Sequence, residues 1–405
     1  MRALSADFVI VGAGIVGLTI AYTILKNSKN SSVLIIDKEN SLGLHASGRN
    51  SGVLHAGFYY TPDSLKAKLT REGNEIMKDF CKQMQIPVNY CGKVVVASSE
   101  SDLKTLEVLN QRAEANGVDV KIVNENYLKE LEPNAKTYKF ALWSPNTASV
   151  NPLNVIKALR EKLQEMNAEF LLNARVLARV GERKILAGEN IIHFGRLINC
   201  AGLYADKIAR LFNLGKDYKL MPFKGLYLKN DDNILGIKRH IYPVPNIKNP
   251  FLGVHFTITS EQSLKIGPTA TPCLWREQYG FFERFRPFEA LETISLGTKL
   301  LIKNPPLFKL GIEEFLKHLK ARVLKDAQKL IKIPLRAPDW QWAKPGIRAQ
   351  LIDLRTYSLV QDFIVEKDNF SIHILNAVSP AFTASFAFAK YVVQNYIKEV
   401  QIAQV

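Results

Sequence analysis

Apolar residues along this chain change their spacing several times, and each change marks an element. From Asp7 to Val11 they run almost unbroken, as in a strand buried on both faces. Three glycines interrupt, Gly12, Gly14 and Gly17, and the apolar residues from Ile15 to Lys26 continue over a length that suits a helix. Val33 to Asp37 is a second short apolar run, so the opening predicts strand, glycine turn, helix, strand. A polar, glycine-containing loop follows from Ser41 to Gly57. Ser64 to Gln85 sets Leu65, Leu69, Ile76 and Phe80 near helical spacing and predicts a helix.

Residues 86–145 mix short strands with a charged helix from Asp102 to Asn116, and Asn151 opens another helix that runs to Met166. Arg196–Cys200 is a strand leading into Ala201-Gly202. Between Pro222 and Thr271, short apolar runs alternate with Pro, Gly and Asn, which predicts antiparallel strands of a second domain. Phe285–Lys332 is helical and basic, and the C-terminal stretch returns to strand, turn and helix.

Gly12-Ala13-Gly14-Ile15-Val16-Gly17 is a GxGxxG directly after a strand and directly before a helix. The first glycine permits the tight turn, the second lets backbone approach a pyrophosphate, and the third lets helix pack close to strand. Asp37 stands 20 residues after Gly17, where its carboxylate can accept ribose hydroxyls. Together these predict dinucleotide binding, without deciding between a nicotinamide and a flavin. The fold expected is α/β with an α+β second domain. A discontinuous Rossmann-like cofactor domain takes residues 1–85, 145–222 and 340–405. An antiparallel-sheet substrate domain takes 86–144 and 223–339, with a basic helical insert at about 285–335.

Composition adds three points. The chain has 405 residues, 47% of them hydrophobic, which supports a sizeable core and excludes global disorder. Its four cysteines, Cys81, Cys91, Cys200 and Cys273, form neither a CxxC pair nor a zinc spacing, so reduced thiols and no metal site are expected. The formal net charge of +16 favours anionic partners. The apolar run from Phe8 to Leu25 approaches membrane-span length, but its three glycines argue against a signal peptide or spanning helix.

Three further segments join the fingerprint. The first is His45-Ala46-Ser47-Gly48-Arg49-Asn50-Ser51-Gly52-Val53-Leu54-His55-Ala56-Gly57-Phe58-Tyr59-Tyr60. The second is Ile241-Tyr242-Pro243-Val244-Pro245 with Phe251-Leu252-Gly253-Val254-His255-Phe256-Thr257 and Gly267-Pro268. The third is Gly346-Ile347-Arg348-Ala349-Gln350 with Asn376-Ala377-Val378-Ser379-Pro380-Ala381-Phe382-Thr383-Ala384-Ser385. In these the chain resembles the D-amino-acid-oxidase superfamily of flavoproteins, and within it the L-2-hydroxyglutarate dehydrogenase/oxidase family. The likeness spans most of the chain except roughly 272–335. It departs at Lys224-Gly225-Leu226-Tyr227, where the family usually has Arg-Gly-Glu-Tyr, and at Val378 and Phe382.

The resemblance implies FAD as cofactor, held by Gly12, Gly14, Gly17, Asp37, Lys38, Ser47, Arg49, Asn50, Ser51, Val176, Gly202, Ser379, Pro380 and Thr383. The Ser379–Ser385 segment precedes an apolar helix whose N-terminus can stabilise charge on the reduced ring. It also implies oxidation of a 2-hydroxy acid. His55, in the loop along the flavin, and His255, in a strand of the substrate domain, are rival bases for the hydroxyl proton. Arg348 matches the superfamily arginine that clamps the substrate carboxylate through bidentate guanidinium geometry. The plain alternative is a structural ion pair with Asp353 or Asp362. Lys224 and Tyr242 are candidates for the other end of the substrate.

From Arg284 to Arg336 there are 12 Lys and Arg against 5 Asp and Glu, an excess of 7 out of the total 16. Leu300, Leu301, Leu307, Phe308, Leu310, Phe315, Leu316, Leu319, Val323 and Leu324 interleave with them. Two readings stay open: a helical layer packed on the substrate domain, and a basic amphipathic surface on an anionic bilayer. The expected protein is cytoplasmic or peripheral on the inner face of the membrane, passing electrons to a quinone or to oxygen, and no nucleic-acid partner is expected. The competing functions are an FAD amine or amino-acid oxidase, a flavin-dependent RNA-modifying protein, and a nicotinamide dehydrogenase.

Overall fold

The computed structural model describes residues 3–246, 253–305, 311 and 313–397. It contains two compact units, each assembled from separated stretches of chain: residues 1–50, 152–221 and 349–405 in one, 51–151 and 222–348 in the other. Residues 51–85, 145–151 and 340–348, which the sequence reading groups with the cofactor domain, lie in the second unit.

The first unit is built on strand Ala3–Val11. It pairs in parallel with Val33–Ile36 on one side and Asn190–Asn199 on the other. Val33–Ile36 carries Glu169–Leu171 in parallel, and the end of Asn190–Asn199 carries Ser371–Asn376. The start of Asn190–Asn199 instead joins Lys184–Ala187 and Val176–Gly181 in an antiparallel meander. The strand therefore begins six residues before the predicted Arg196, because a hairpin through Gly188 holds its first half. Val9, Val11, Leu34 and Ile36 pack with Phe194, Leu197, Ile208 and Phe212, while the alternate residues Ile10 and Ile35 are also buried. Burial on both faces is why these strands read as unbroken apolar runs. Helix Ile15–Asn27 packs against Ala381–Tyr396 and Pro152–Glu165.

The second unit holds an eight-stranded sheet. Its order is Gln341–Trp342, Leu228–Asn230, Leu264–Gly267, His255–Ile258, His240–Pro243, Lys93–Val96, Phe140–Ser144, Lys121–Asn124. All its pairs are antiparallel except Lys93–Val96 with His240–Pro243. These two strands are far apart in the chain, so no hairpin dictates their direction.

Period-two alternation separates this sheet's faces. Val94, Val96, Ile241, Phe256, Ile258, Leu264 and Ile266 form one apolar core with Val323, Ala327, Leu330 and Trp340. The alternate positions Lys93, His240, Tyr242 and His255 fall on the opposite face, where Tyr242 packs with Ala56, Phe58, Leu106 and Leu109.

The basic insert is not one helix. Pro287–Lys303 and Lys320–Gln328 are separate, with Asn304-Pro305-Pro306 after the first. Lys320–Gln328 buries Val323, Leu324 and Ala327, as the packing reading expects. Pro287–Lys303 does not follow it fully: Phe288 is 82% exposed and Ile302 71%. Leu307, Phe308 and Leu310 lie outside the described residues, as do Phe251 and Leu252 of the second motif. Among the described residues no helix is long and apolar enough to cross a membrane.

Candidate active site

In the first unit the glycine turn is dictated by backbone. Gly12 has φ +109°, and a Cβ there would lie 2.4 Å from the Cys200 carbonyl oxygen. A Cβ on Gly17 would lie 2.0 Å from the Gly12 carbonyl oxygen. Neither position accepts a side chain without opening the turn. Helix Ile15–Asn27 starts at Gly14 with no acidic residue in its first turn. Ser47 Oγ takes the Ile15 N–H at 2.9 Å. The helix thus brings no acidic side chain of its own first turn to its positive end, which suits a pyrophosphate. Asp37 braces the turn, accepting the Ala13 N–H at 2.8 Å through one oxygen and the Glu39 N–H at 2.9 Å through the other. Each carboxylate oxygen has a second lone pair for a ribose hydroxyl. These features fit a dinucleotide.

The other cofactor candidates of this unit fall into two groups. Lys38 meets Glu39 and, at 3.1 Å, His45 Nε2, and its ammonium lies 5.4 Å from the centre of the Tyr204 ring. Arg175, next to the buried Val176, lies 5.4 Å from the same ring. Gly202 has φ +53°, and its turn is braced by Asn199, which accepts from Ala201 N–H at 3.1 Å and donates to the Ala205 carbonyl at 2.8 Å. Arg49 and Asn50 fold their own loop, donating to the Leu44 and Ser47 carbonyls at 2.6 and 2.8 Å. Pro380 is the N-cap of Ala381–Tyr396 and follows Ser379; this helix too has no acidic first-turn residue, and Thr383 is buried within it. Ser51 belongs to the second unit, where its hydroxyl accepts the Val53 N–H and bonds Tyr227.

The polar sheet face of the second unit gathers the titratable groups. His255 stacks on Tyr242 with ring centres 3.7 Å apart and planes 19° from parallel. Its Nδ1 lies 2.8 Å from the Gly253 carbonyl oxygen. A carbonyl only accepts, so Nδ1 carries the hydrogen and Nε2 keeps its lone pair in the neutral ring. Burial, opposed by the Gly253 bond and assisted by the Lys93 charge, pushes the His255 pKa down to about 3. His240 has the opposite arrangement. Its Nδ1 accepts the Ile258 N–H at 3.2 Å, which leaves the hydrogen on Nε2, 3.2 Å from Cys91 Sγ. Both nitrogens are spent, and burial and Lys93 bring its pKa to about 3. His55 is held well below the ordinary range by burial, then by Lys93, His255 and His240.

Arg348 is half-buried, and its acidity rises through desolvation, countered by Tyr227, Tyr60 and Glu314. Burial raises Tyr60 strongly and moves Tyr227 to about 12. Asp353, the residue suggested as a structural partner, has its carboxylate held by Arg355 at 2.6 Å. The strand of Lys224 pairs with Thr271 on one side and neighbours the strand of Arg348 on the other; burial lowers the Lys224 pKa, opposed by Cys273 and Glu283.

Lys93 was not among the expected residues. Its ammonium is fully buried and lies 4.4, 4.6 and 4.8 Å from the ring centres of Tyr59, Phe58 and Tyr242. Desolvation lowers its pKa to about 7. The signal was a lysine opening the run Lys93-Val94-Val95-Val96, which alone reads as a strand-end charge. Only its pairing with His240 brings it to the polar face. The four cysteines are free thiols, with burial raising their pKa values.

The glycine turn braced by Asp37 fits a dinucleotide, and the class of protein is a flavin-dependent oxidoreductase: the chain belongs to the FAD dependent oxidoreductase family, whose model matches residues 7–395. Within that family it is similar to enzymes of one name. It is 35% identical to the mitochondrial L-2-hydroxyglutarate dehydrogenase of Caenorhabditis elegans over 98% of this chain and 94% of that protein. It is 33% identical to the L-2-hydroxyglutarate dehydrogenase of Escherichia coli over 96% and 92%. Among solved structures, the L-α-glycerophosphate oxidase of Mycoplasma pneumoniae with FAD bound superposes with a TM-score of 0.74 at 21% identity, covering 96% of this chain and 94% of that one. Glycine oxidase of Geobacillus kaustophilus gives 0.73 at 16%, covering 99% and 97%. These two share the fold.

Proposed function

We propose that this protein oxidises L-2-hydroxyglutarate to 2-oxoglutarate, with the first unit holding FAD and the second recognising the substrate. The supporting kinship is with dehydrogenases of that name at 32–35% identity over nearly the whole chain. Bound FAD supplies the two-electron acceptor for the C2 hydride. Gly12, Gly14, Gly17, Asp37, Lys38, Ser47, Val176, Gly202, Ser379, Pro380 and Thr383 are the residues assigned to hold it, with Arg49, Asn50 and Ser51 shaping the adjoining loop.

The observation that carries the chemistry is the lone pair on His255 Nε2. A base must be neutral and its acceptor atom free of a protein donor. Among the described residues His255 meets both conditions: its other nitrogen is tied to Gly253, and its ring is stacked on Tyr242. It is therefore assigned to take the substrate hydroxyl proton. His55 flanks it electrostatically and is assigned a supporting place. Arg348, ringed by Tyr60 and Tyr227, is assigned to the carboxylate beside C2.

The test is anaerobic reduction. L-2-hydroxyglutarate should bleach the visible flavin bands, while glycine, sarcosine and D-amino acids should not. Bleaching by an amine in preference to the hydroxy acid replaces this reading with the amine-oxidase one.

For the terminal acceptor, a quinone at an anionic membrane is favoured by a second observation. Phe281, Phe282, Phe285, Phe288 and Leu291 are 82, 72, 53, 82 and 65% exposed beside Arg284, Arg286 and Lys299. Aromatic and cationic side chains together suit the headgroup boundary of an anionic bilayer. Co-sedimentation with phosphatidylglycerol vesicles at low salt, lost in high salt and with phosphatidylcholine alone, is the expected result; oxygen as acceptor would need neither.

A further inference from the structure

Lys93 presents an energetic puzzle that the oxidation just described does not use. A primary amine shut away from water without hydrogen bonds is costly in either protonation state, and proteins keep such a group only where something compensates it. Among the described residues, Lys93 Nζ has no hydrogen-bond partner. Three aromatic rings close around it and soften the cost, but none accepts a hydrogen bond in the way an oxygen does. The Tyr59 hydroxyl, on one of those rings, is likewise buried and without a partner. Two neighbouring donors thus lack an acceptor in one place.

The groups facing Lys93 narrow what the acceptor can be. His55, His240 and His255 all feel its charge, and Tyr59 and Tyr242 line it; no carboxylate among the described residues acts on it. A second cation, Arg348, belongs to the same unit and lies within electrostatic reach of Tyr60, the residue next to Tyr59. Adjacent tyrosines therefore reach two different cations, one buried and one half-buried, which keeps those cations on the scale of a small molecule.

We propose that Lys93, together with the Tyr59 hydroxyl, anchors a second carboxylate of the substrate, so that this site selects dicarboxylic over monocarboxylic 2-hydroxy acids. The assignment rests on the oxidation proposed above, in which Arg348 takes the carboxylate beside C2. The distal carboxylate supplies the missing acceptor, and the amine holds its proton once that charge arrives. Lysine suits this end: it presents a compact charge on a flexible stem, whereas Arg348 presents a fixed fork.

The experiment compares two non-oxidisable ligands, glutarate and butyrate, by perturbation of the oxidised flavin spectrum in the holoprotein. Wild type should bind glutarate at least about tenfold more tightly than butyrate, the effect of one charge-assisted hydrogen bond. Lys93→Met, which keeps length and removes charge, should weaken glutarate by about 10- to 100-fold and butyrate by less than about twofold. Equal loss for both ligands would mean a packing or histidine-tuning role and overturns the proposal; so does no loss.

A second measurement needs only the wild type, should Lys93→Met not fold. Because the free amine titrates near 7, binding a carboxylate above that pH requires proton uptake. Glutarate affinity should fall as pH rises from 7 to 9, while butyrate affinity stays flat. Parallel behaviour of the two ligands sinks the anchor. If wild type prefers glutarate but is not reduced by L-2-hydroxyglutarate, the proposed oxidation fails while the anchor stands; if it is reduced but binds both ligands alike, the anchor alone fails.

Discussion

The turn around Gly12 offers a ligand backbone, and the side chains there are absent because nothing else fits. The sheet face around Tyr242 offers side chains, and the backbone is ordinary strand. The two regions fail differently. A Cβ on Gly17 collides with a carbonyl 2.0 Å away, so the damage is steric and all-or-none. A change at His255 or Lys93 leaves the strand intact and alters charge, so the damage is graded and chemical. On the proposed reading, a phosphate is held by geometry that is written locally, and a substrate by groups drawn from distant strands.

The sharpest way to break the comparison is at the turn. Gly17→Val is expected to abolish flavin retention, read as the ratio of visible to protein absorbance; a variant as yellow as wild type would refute a backbone-built cofactor site. Next comes the base. His255→Asn should lower kcat/KM for L-2-hydroxyglutarate by about 10²- to 10⁴-fold with flavin still bound. His240→Asn, whose nitrogens are both engaged, should lower melting temperature instead of rate. If the two variants exchange behaviours, the tautomer argument is wrong. Arg348→Ala should cost about 100-fold in kcat/KM through loss of a charge-assisted clamp, again with flavin retained.

A pH scan separates the two regions without mutation. His240 and His255 titrate at about 3 when folded, against an ordinary value near 6.5 when unfolded. Their folded pKa values are depressed, so the unfolded chain binds more protons between these limits. Stability should be full above pH 6.5 and fall as pH drops towards 3, by up to about 1.4 kcal/mol per histidine per pH unit. A melting temperature unchanged from pH 7 to 5 would show that these rings are not buried neutral. The smallest effect is expected at the surface. Phe281→Ser with Phe288→Ser should change stability by no more than about 0.5 kcal/mol while reducing vesicle sedimentation; unchanged sedimentation would remove these phenylalanines from any membrane contact.

Legibility followed the same division. The glycine spacing, Asp37 and the two apolar strands were readable because each is a contiguous pattern with one physical meaning. Phe285–Lys332 was readable as basic and helical, but the exposure of Phe281, Phe282, Phe285 and Phe288 was not, since exposure depends on what else packs there. His55 and His255 were recognised as rivals from their motifs. Their ranking was not, because it turns on which carbonyl or N–H meets which ring nitrogen. Lys224 was singled out from its motif, whereas Lys93 was passed over, because a lysine opening a run of valines reads as a strand-end charge.

By itself the chain determined the nucleotide-binding opening, the α/β class and the flavoprotein kinship, all of which are carried by residues close together in sequence. Tertiary structure alone decided which cation and which histidine share a buried face. Strand pairing sets that face: Lys93 meets His240, and Tyr242 meets His255, only once separated segments lie side by side. Burial then removes the water that would have made each of these groups ordinary.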